Sequence, residues 1–222
     1  MWKSLRFAPL LLLLPATLFA QSESFGLGAG PFIFGHFVER TNRIGNETDS
    51  SIVRSTLSAA TRVGVTADFE HDLNSWLAVR LQGTFTHAPL KVKTRSGNTG
   101  VQLNAGTMNV TTVALPFVVR LNRRGSFRFH LMAGPAWAMY DAKPAAGVHS
   151  SGVFEGTRDR WGVEAGGGVS WWLSDRVAVS GEIADIYTSS PFERSDLPAL
   201  TTGVDIPRTH NIHTTAGIRY RF

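Results

Sequence analysis

The chain has 222 residues, a formal net charge of +5, 22 glycines and no cysteine, and 18% of its residues are charged. The lack of cysteine excludes a small secreted domain that is held together by disulfides. The basic residues are spread along the sequence rather than clustered, which argues against nucleic-acid binding despite the positive charge. The length suits a single domain.

Residues 1–20 have the organisation of a secretory signal peptide. Two basic residues, Lys3 and Arg6, precede a run of leucines, and the small residue Ala20 ends the segment. The apolar run is too short to cross a bilayer as a helix. We therefore expect a signal peptide at residues 1–20 and one exported domain at residues 21–222.

Beyond this leader, apolar and polar residues alternate with a period of two in one segment after another. In the second such segment, for example, Val63, Val65 and Phe69 alternate with positions that include Asp68 and Glu70. This alternation predicts β-strands with one apolar and one polar face. The eight predicted strands span residues 25–37, 56–70, 77–86, 107–121, 127–140, 160–173, 177–184 and 209–222.

The connections between these strands alternate in length. Short connections follow the second, fourth and sixth strands, and each is rich in turn-forming residues. Long polar segments follow the other strands. Tight turns on one side and long loops on the other are typical of up-and-down barrels in an outer membrane. The predicted long loops are residues 39–55, 88–106, 142–156 and 188–208.

A lipocalin-like soluble barrel also has about eight strands, but it buries its apolar face inside. Here several large aromatic residues lie near strand ends on the apolar face, as in the aromatic belts at membrane interfaces. We therefore predict an all-β fold, an eight-stranded antiparallel up-and-down transmembrane β-barrel, located in the cell outer membrane of a Gram-negative cell envelope. The aromatic residues concerned are Phe127, Trp137, Trp161, Trp171 and Tyr220.

The last predicted strand has the same alternation and ends on an aromatic residue. Ala216, Ile218, Tyr220 and Phe222 share its apolar face. An ordinary amphipathic edge strand has this pattern too. The segment also resembles the C-terminal signal of bacterial outer-membrane proteins, which implies recognition by the outer-membrane barrel assembly machinery.

Two internal stretches carry a more specific resemblance. LPFVVRLN begins at Leu115 and FRFHLMAGPAW begins at Phe127; together with the terminal AGIRYRF they resemble the small outer-membrane β-barrel family related to the OmpA and OmpX barrels, within the porin family. The resemblance implies a barrel over the whole exported domain. We expect no periplasmic peptidoglycan-binding domain after the barrel, and therefore no anchoring to the cell wall of the kind associated with OmpA.

The polar face of the strands carries charges of both signs, together with His130, and we expect these side chains to point into the lumen. Two functions are compatible with them: a polar plug of paired charges, or a narrow path for ions and small solutes. We favour the plug, because buried charges need partners and an eight-stranded barrel is about wide enough for side chains to fill. The predicted interior charges are Arg62, Asp68, Glu70, Arg80, Arg120, Arg128, Arg160, Glu164, Glu182, Arg219 and Arg221.

A lipid A-modifying enzyme is a further alternative, because such barrels use a His, a Ser and an acid near the outer leaflet. The candidates are His149 and Ser151, with Glu155 or Glu164 as the acid. The deacylase motif, His-x-Ser followed by Asn and Gly, is not matched after Ser151, so no catalytic residue is predicted.

No cofactor or metal site is predicted either. His210 and His213 are the closest pair of histidines, and positions three apart fall on opposite faces of a strand.

The long loops indicate where the protein meets its surroundings. Lys91, Lys93 and Arg95 form a basic stretch that we expect beside the phosphates of lipopolysaccharide. A merely solvated loop explains the same stretch equally well. The sequence therefore predicts a monomeric outer-membrane barrel with a structural or surface-interaction role, in contact with outer-membrane lipid and lipopolysaccharide, and no catalytic activity.

Overall fold

The structure is a computed structural model that describes residues 23–46, 49–122, 125–145, 155–196 and 203–222. The predicted signal peptide lies outside these ranges, as do His149 and Ser151. All strand pairings are antiparallel and belong to one sheet. Within the described ranges, no helix is long and apolar enough to cross a membrane.

The sheet is built from twelve strand segments. A short 3₁₀ helix (Arg194–Asp196) lies between the tenth and the eleventh segment. The segments are β1 (Glu23–Phe34), β2 (His36–Asn46), β3 (Asp49–Ala59), β4 (Arg62–Asp72), β5 (Leu77–Ser96), β6 (Thr99–Ala114), β7 (Phe117–Arg120), β8 (Phe127–Pro144), β9 (Gly156–Trp172), β10 (Val177–Thr188), β11 (Val204–Asp205) and β12 (Thr209–Arg221).

The sheet closes on itself because β1 pairs with β12. Phe25 lies opposite Tyr220, and the Phe222 N–H donates to the Glu23 carbonyl at 2.9 Å. β1 continues into β2, β3 into β4, and β6 into β7, while β11 is a two-residue strand beside β2. With these three pairs joined and β11 left aside, the segments form eight continuous strands in up-and-down order, which confirms the predicted barrel. Closure pairs the backbone polar groups that a bilayer would leave unsatisfied.

Three tight turns connect strands at one end of the barrel, as the sequence predicted. In the first, the Asn74 side-chain oxygen accepts hydrogen bonds from the N–H groups of Trp76 and Leu77, both at 2.9 Å. Ser174 Oγ accepts from the Val177 N–H at 3.1 Å in the same way, and Asn122 Oδ1 accepts from the Phe129 N–H at 2.7 Å across the remaining connection. Short turns mark the periplasmic end of an outer-membrane barrel.

The opposite end differs from the sequence prediction. Residues 39–55 and 88–106 were expected as polar loops, and this expectation is wrong: β2 pairs with β3, and β5 pairs with β6, in hairpins that continue the barrel wall outward. The β5–β6 hairpin turns at Gly97, whose φ of +54° suits glycine. The outermost parts of these hairpins, such as residues 39–42 and 93–96, are polar on both faces, so the apolar alternation that reveals a strand is weak there.

The two faces of the wall differ in composition. Large apolar side chains such as Leu81, Phe85, Leu131 and Ile183 are exposed on the outer face and form the band expected against lipid. The inner face is buried, polar in its periplasmic half and apolar in its external half. Both halves are described below, because they decide what can pass through the barrel.

Candidate functional site

Arg80 of β5 lies at the centre of a buried ion network in the periplasmic half of the lumen. Its side chain is 1% exposed. Nη2 is 2.7 Å from Glu70 Oε2, and Nη1 is 2.8 Å from both carboxylate oxygens of Glu182 across the barrel. One guanidinium thus ties β5 to β4 on one side and to β10 on the other.

Two more arginines complete the network. Arg219 of β12 contacts Asp68 Oδ1 at 2.8 Å and Glu70 Oε2 at 3.2 Å. Arg120 of β7 contacts Glu70 Oε1 at 2.6 Å and also pairs with Asp72. His130 Nε2 lies 3.2 Å from Glu182 Oε1. Charged groups of both signs therefore interlock across the lumen, as buried charges require.

Glycines in the wall make room for these acids. A Cβ added to Gly26 would lie 2.3 Å from Asp68 Oδ2, and one added to Gly168 would lie 2.6 Å from Glu182 Cγ. Any larger residue at either position would therefore displace a carboxylate from the network.

A second polar layer lies above the ion network. Gln82 Nε2 is 3.0 Å from Glu164 Oε1 and 3.2 Å from His213 Nε2, and all three side chains are fully buried. His210, by contrast, is exposed and bonds Asp185 at 2.5 Å, so the two histidines lie on opposite faces. Glu164, one of the acids considered for catalysis, is thus held in the middle of the lumen.

The external half of the lumen is filled by apolar side chains. Phe37 packs against Tyr140 and Phe192, with ring centroids 6.2 Å and 5.7 Å apart, and Leu90 and Met108 are buried in the same cluster. Inward positions of β5, β6 and β8 carry these apolar residues, so the sequence contained a signal for the cluster. Phe192 had no such signal, because it enters from the predicted loop 188–208.

Residues 188–196 of this loop are bonded to the barrel wall. Arg158 of β9 donates two hydrogen bonds of 2.5 Å to the Asp196 carboxylate, which raise the pKa of Arg158 above its usual range. Arg160 bonds the Ser190 carbonyl at 2.9 Å and Glu193 at 2.7 Å. β9 therefore anchors the segment that inserts Phe192 into the barrel.

The predicted interior charges thus fall into separate places. Arg160 lies at the external rim, and Arg62 is exposed at the start of β4, so neither belongs to the network. Arg128 and Arg221 lie at the periplasmic mouth, where both approach Trp172. The structure brings together Asp68, Glu70, Arg80, Arg120, Glu182 and Arg219, and it adds Asp72, which sequence reasoning missed because it ends a strand.

A basic strip runs along the outward face of the extended β5. Lys91, Lys93 and Arg95 alternate on this face, and Arg54 of β3 lies opposite Arg95. Arg54 bonds Glu39 at 2.5 Å, which lowers the pKa of Glu39. A groove of about 390 Å³ runs between these strands, lined among others by Arg54, Lys93 and Arg95.

The closed wall, the apolar outer band and the short periplasmic turns define an integral outer-membrane β-barrel. The family model described as outer membrane protein beta-barrel domain matches residues 7–222, and the chain belongs to this family. The predicted family and outer-membrane location are therefore confirmed.

Solved structures of small outer-membrane barrels are similar in fold. OprG of Pseudomonas aeruginosa has a TM-score of 0.58 at 13% identity, covering 91% of this chain and 97% of that chain. The N-terminal barrel of OprF from the same organism has a TM-score of 0.47 at 10% identity (91% and 97% covered), and OmpW of Escherichia coli has 0.43 at 16% identity (91% and 100% covered). No curated protein matches the sequence significantly.

Proposed function

We propose that this protein is a non-conducting outer-membrane barrel that presents its external hairpins to the cell surface. The observation that carries the proposal is the filling of the lumen at successive levels. An ion network centred on Arg80 lies below, the layer around Gln82 lies in the middle, and the apolar cluster with Phe192 lies above. An ion would have to break charge pairs and then cross an apolar layer, and both steps are costly.

Conductance distinguishes this proposal from the alternative of a narrow pore. Pure, folded protein in planar lipid bilayers should give no steady single-channel openings, because side chains of the described residues fill the lumen at three successive levels. A general porin inserted under the same conditions controls for the sensitivity of the measurement. Reproducible channels of uniform size from the folded wild-type protein would contradict the proposal and favour a pore.

We propose in addition that the basic strip contacts lipopolysaccharide. Strands rise about 3.3 Å per residue and tilt by about 40° in such barrels, so Lys91 lies roughly 15 Å above Phe85, the last large apolar residue on the outward face of β5. This height corresponds to the sugar and phosphate layer above the acyl chains. The three cations then face phosphates rather than hydrocarbon.

Changing Lys91, Lys93 and Arg95 together to glutamine should weaken binding of lipopolysaccharide at low salt. Each cation contributes on the order of 1 kcal/mol at an anionic surface, so the loss should approach about a hundredfold and shrink as salt is added. Binding of the refolded proteins to lipopolysaccharide can be measured by isothermal titration calorimetry.

A matched control removes three other exposed cations, through Arg62→Gln, Lys143→Gln and Arg176→Gln. If both triple variants lose the same affinity, only overall charge matters and the strip is not a site. If neither loses affinity, the strip is merely solvated.

The other proposed partners are outer-membrane lipid and the barrel assembly machinery, and the proposed state is a monomer.

A further inference from the structure

The periplasmic mouth of the lumen holds a second cationic cluster, distinct from the ion network above it. Trp172 of β9 points inward there, and two guanidinium groups lie over its ring. The carbon at the centre of the Arg221 guanidinium is 4.0 Å from the ring centroid, and that of Arg128 is 4.9 Å away. Cation–π contact of this kind orients both arginines without neutralising them.

Neither of these two cations forms an ion pair with an acid, although Asp72 attracts both electrostatically and Glu70 attracts Arg221. Arg80, Arg120 and Arg219 engage Asp68, Glu70, Asp72 and Glu182. Among the described residues, no ion pair within 4.0 Å joins either guanidinium group to a carboxylate. Taken together, the five arginines of the mouth and the ion network face four carboxylates, so the region keeps an excess of positive charge in a place where neighbouring protein partly excludes water.

Two hydrogen-bond donors at the mouth also have no acceptor. Arg128 Nε and Trp172 Nε1 are buried and unpartnered within the described residues. A cavity of about 20 Å³ lies beside them, lined also by Arg120, Ser170 and Arg221. Glu70 reaches the same cavity, but its oxygens already accept hydrogen bonds from Arg80 and Arg120. A space of this size holds one water molecule or one oxygen atom of a larger group.

We propose that this mouth binds a phosphate dianion from the periplasmic side, with one phosphate oxygen in the cavity and the others toward solvent. A water molecule would satisfy the donors but leave the excess positive charge of the region uncompensated. Chloride accepts at one atom and a carboxylate at two, whereas phosphate has enough oxygens to accept from both guanidinium groups and from the indole N–H. A phosphate monoester carries about −1.5 to −2 charges near pH 7, as phosphorylated side chains do, and guanidinium groups match its oxygens in geometry. Inorganic phosphate and the terminal phosphate of a small monoester share this chemistry.

The test uses full-length exported protein folded in a maltoside detergent, which contains no phosphate. Inorganic phosphate is titrated at constant ionic strength, and the indole N–H resonance of Trp172, identified through Trp172→Phe, is followed by NMR. Phosphate should shift this resonance in a saturable way, because the unpartnered N–H gains an acceptor. Chloride and acetate, added as sodium salts at equal ionic strength, should bind with less than a tenth of the apparent affinity of phosphate.

Arg128→Gln and Arg221→Gln should each weaken phosphate binding at least tenfold, whereas Arg62→Gln, which removes an exposed cation elsewhere, should leave it unchanged. Heat-modifiable migration in gels verifies that each variant is folded. If only one of Arg128→Gln and Arg221→Gln folds, that variant is enough for the test. Saturable binding of glycerol 3-phosphate extends the site to monoesters, and its failure beside binding of inorganic phosphate restricts the site to the free anion. No saturable shift, equal binding of chloride, or unchanged affinity in both mouth variants would overturn the proposal.

Discussion

Replacing Arg80 with alanine should destabilise the folded barrel by about 3–5 kcal/mol, the range for removing one partner of a buried charge pair. The side chain holds Glu70 at 2.7 Å and Glu182 at 2.8 Å. After its removal, the basic side chains within 4.0 Å of Glu182 among the described residues are His130 at 3.2 Å and Arg219 at 3.6 Å. Urea unfolding in detergent micelles, followed by tryptophan fluorescence, measures the change in the free energy of unfolding.

Two further variants separate this effect from a general loss of packing. Arg62→Ala removes an exposed arginine of β4 and should change the free energy of unfolding by at most about 0.5 kcal/mol. Adding Glu182→Gln to Arg80→Ala should recover part of the loss, because one uncompensated carboxylate disappears. Stability of Arg80→Ala within about 1 kcal/mol of wild type would mean that water solvates the acids, as it would in an open pore.

The transmembrane wall could be predicted from sequence because both of its faces impose a pattern. Positions that face lipid must be apolar, and the positions between them must fit into the packed lumen. In β5, Leu81 is exposed on the outer face whereas its neighbour Gln82 is 1% exposed. A shift of register by one residue would reverse every such position, so period two also indicated most of the charges that point inward. Arg62, which the same pattern placed inside, is exposed at the start of β4.

The pattern fails where one of these faces is missing. Above the membrane, Lys93 and Thr94 of β5 are both polar, and neither lipid nor a full lumen selects against them. The hairpin there depends on backbone pairing with β3 and β6, which leaves little trace in residue type. The strands were therefore predicted too short.

The alternation of inward and outward positions also does not determine which inward side chains contact each other. Arg128 and Arg80 share the inward face, yet one contacts Trp172 and the other contacts two acids. Their partners come from strands distant in sequence, and their relative height depends on the stagger of strands around the barrel. The entry of Phe192 into the lumen depends likewise on long-range contacts of β9 with the loop.

The two halves of the lumen have different consequences for the wall around them. In the periplasmic half, ion pairs link β4, β5, β7, β10 and β12 across the barrel. In the external half, an apolar core around Tyr140 packs against β2, β3, β5 and β6, the strands of the two hairpins. This core therefore stabilises the part of the sheet that the ion network does not reach.

Changing Phe222 to aspartate should greatly reduce assembled protein in the outer membrane while affecting the stability of the folded barrel little. Phe222 is 71% exposed on the outer face beside Tyr220, at the periplasmic end. A charge near the membrane interface costs only about 0–1 kcal/mol, so a large defect must arise before folding, at recognition by the assembly machinery.

Cell fractionation and heat-modifiable migration should show variant protein unassembled in the periplasm and degraded, whereas the purified variant should still refold in micelles. Phe127→Asp is the matched control, since Phe127 is an aromatic residue at the same end, exposed on the outer face and stacked on Trp171. Its free energy of unfolding should fall by no more than the cost of a charge near the membrane interface, and the protein should still reach the outer membrane. Equal assembly of the Phe222→Asp variant and wild type would show that the terminal strand carries no such signal, and failure of both variants would indicate that any charge in this aromatic belt blocks insertion.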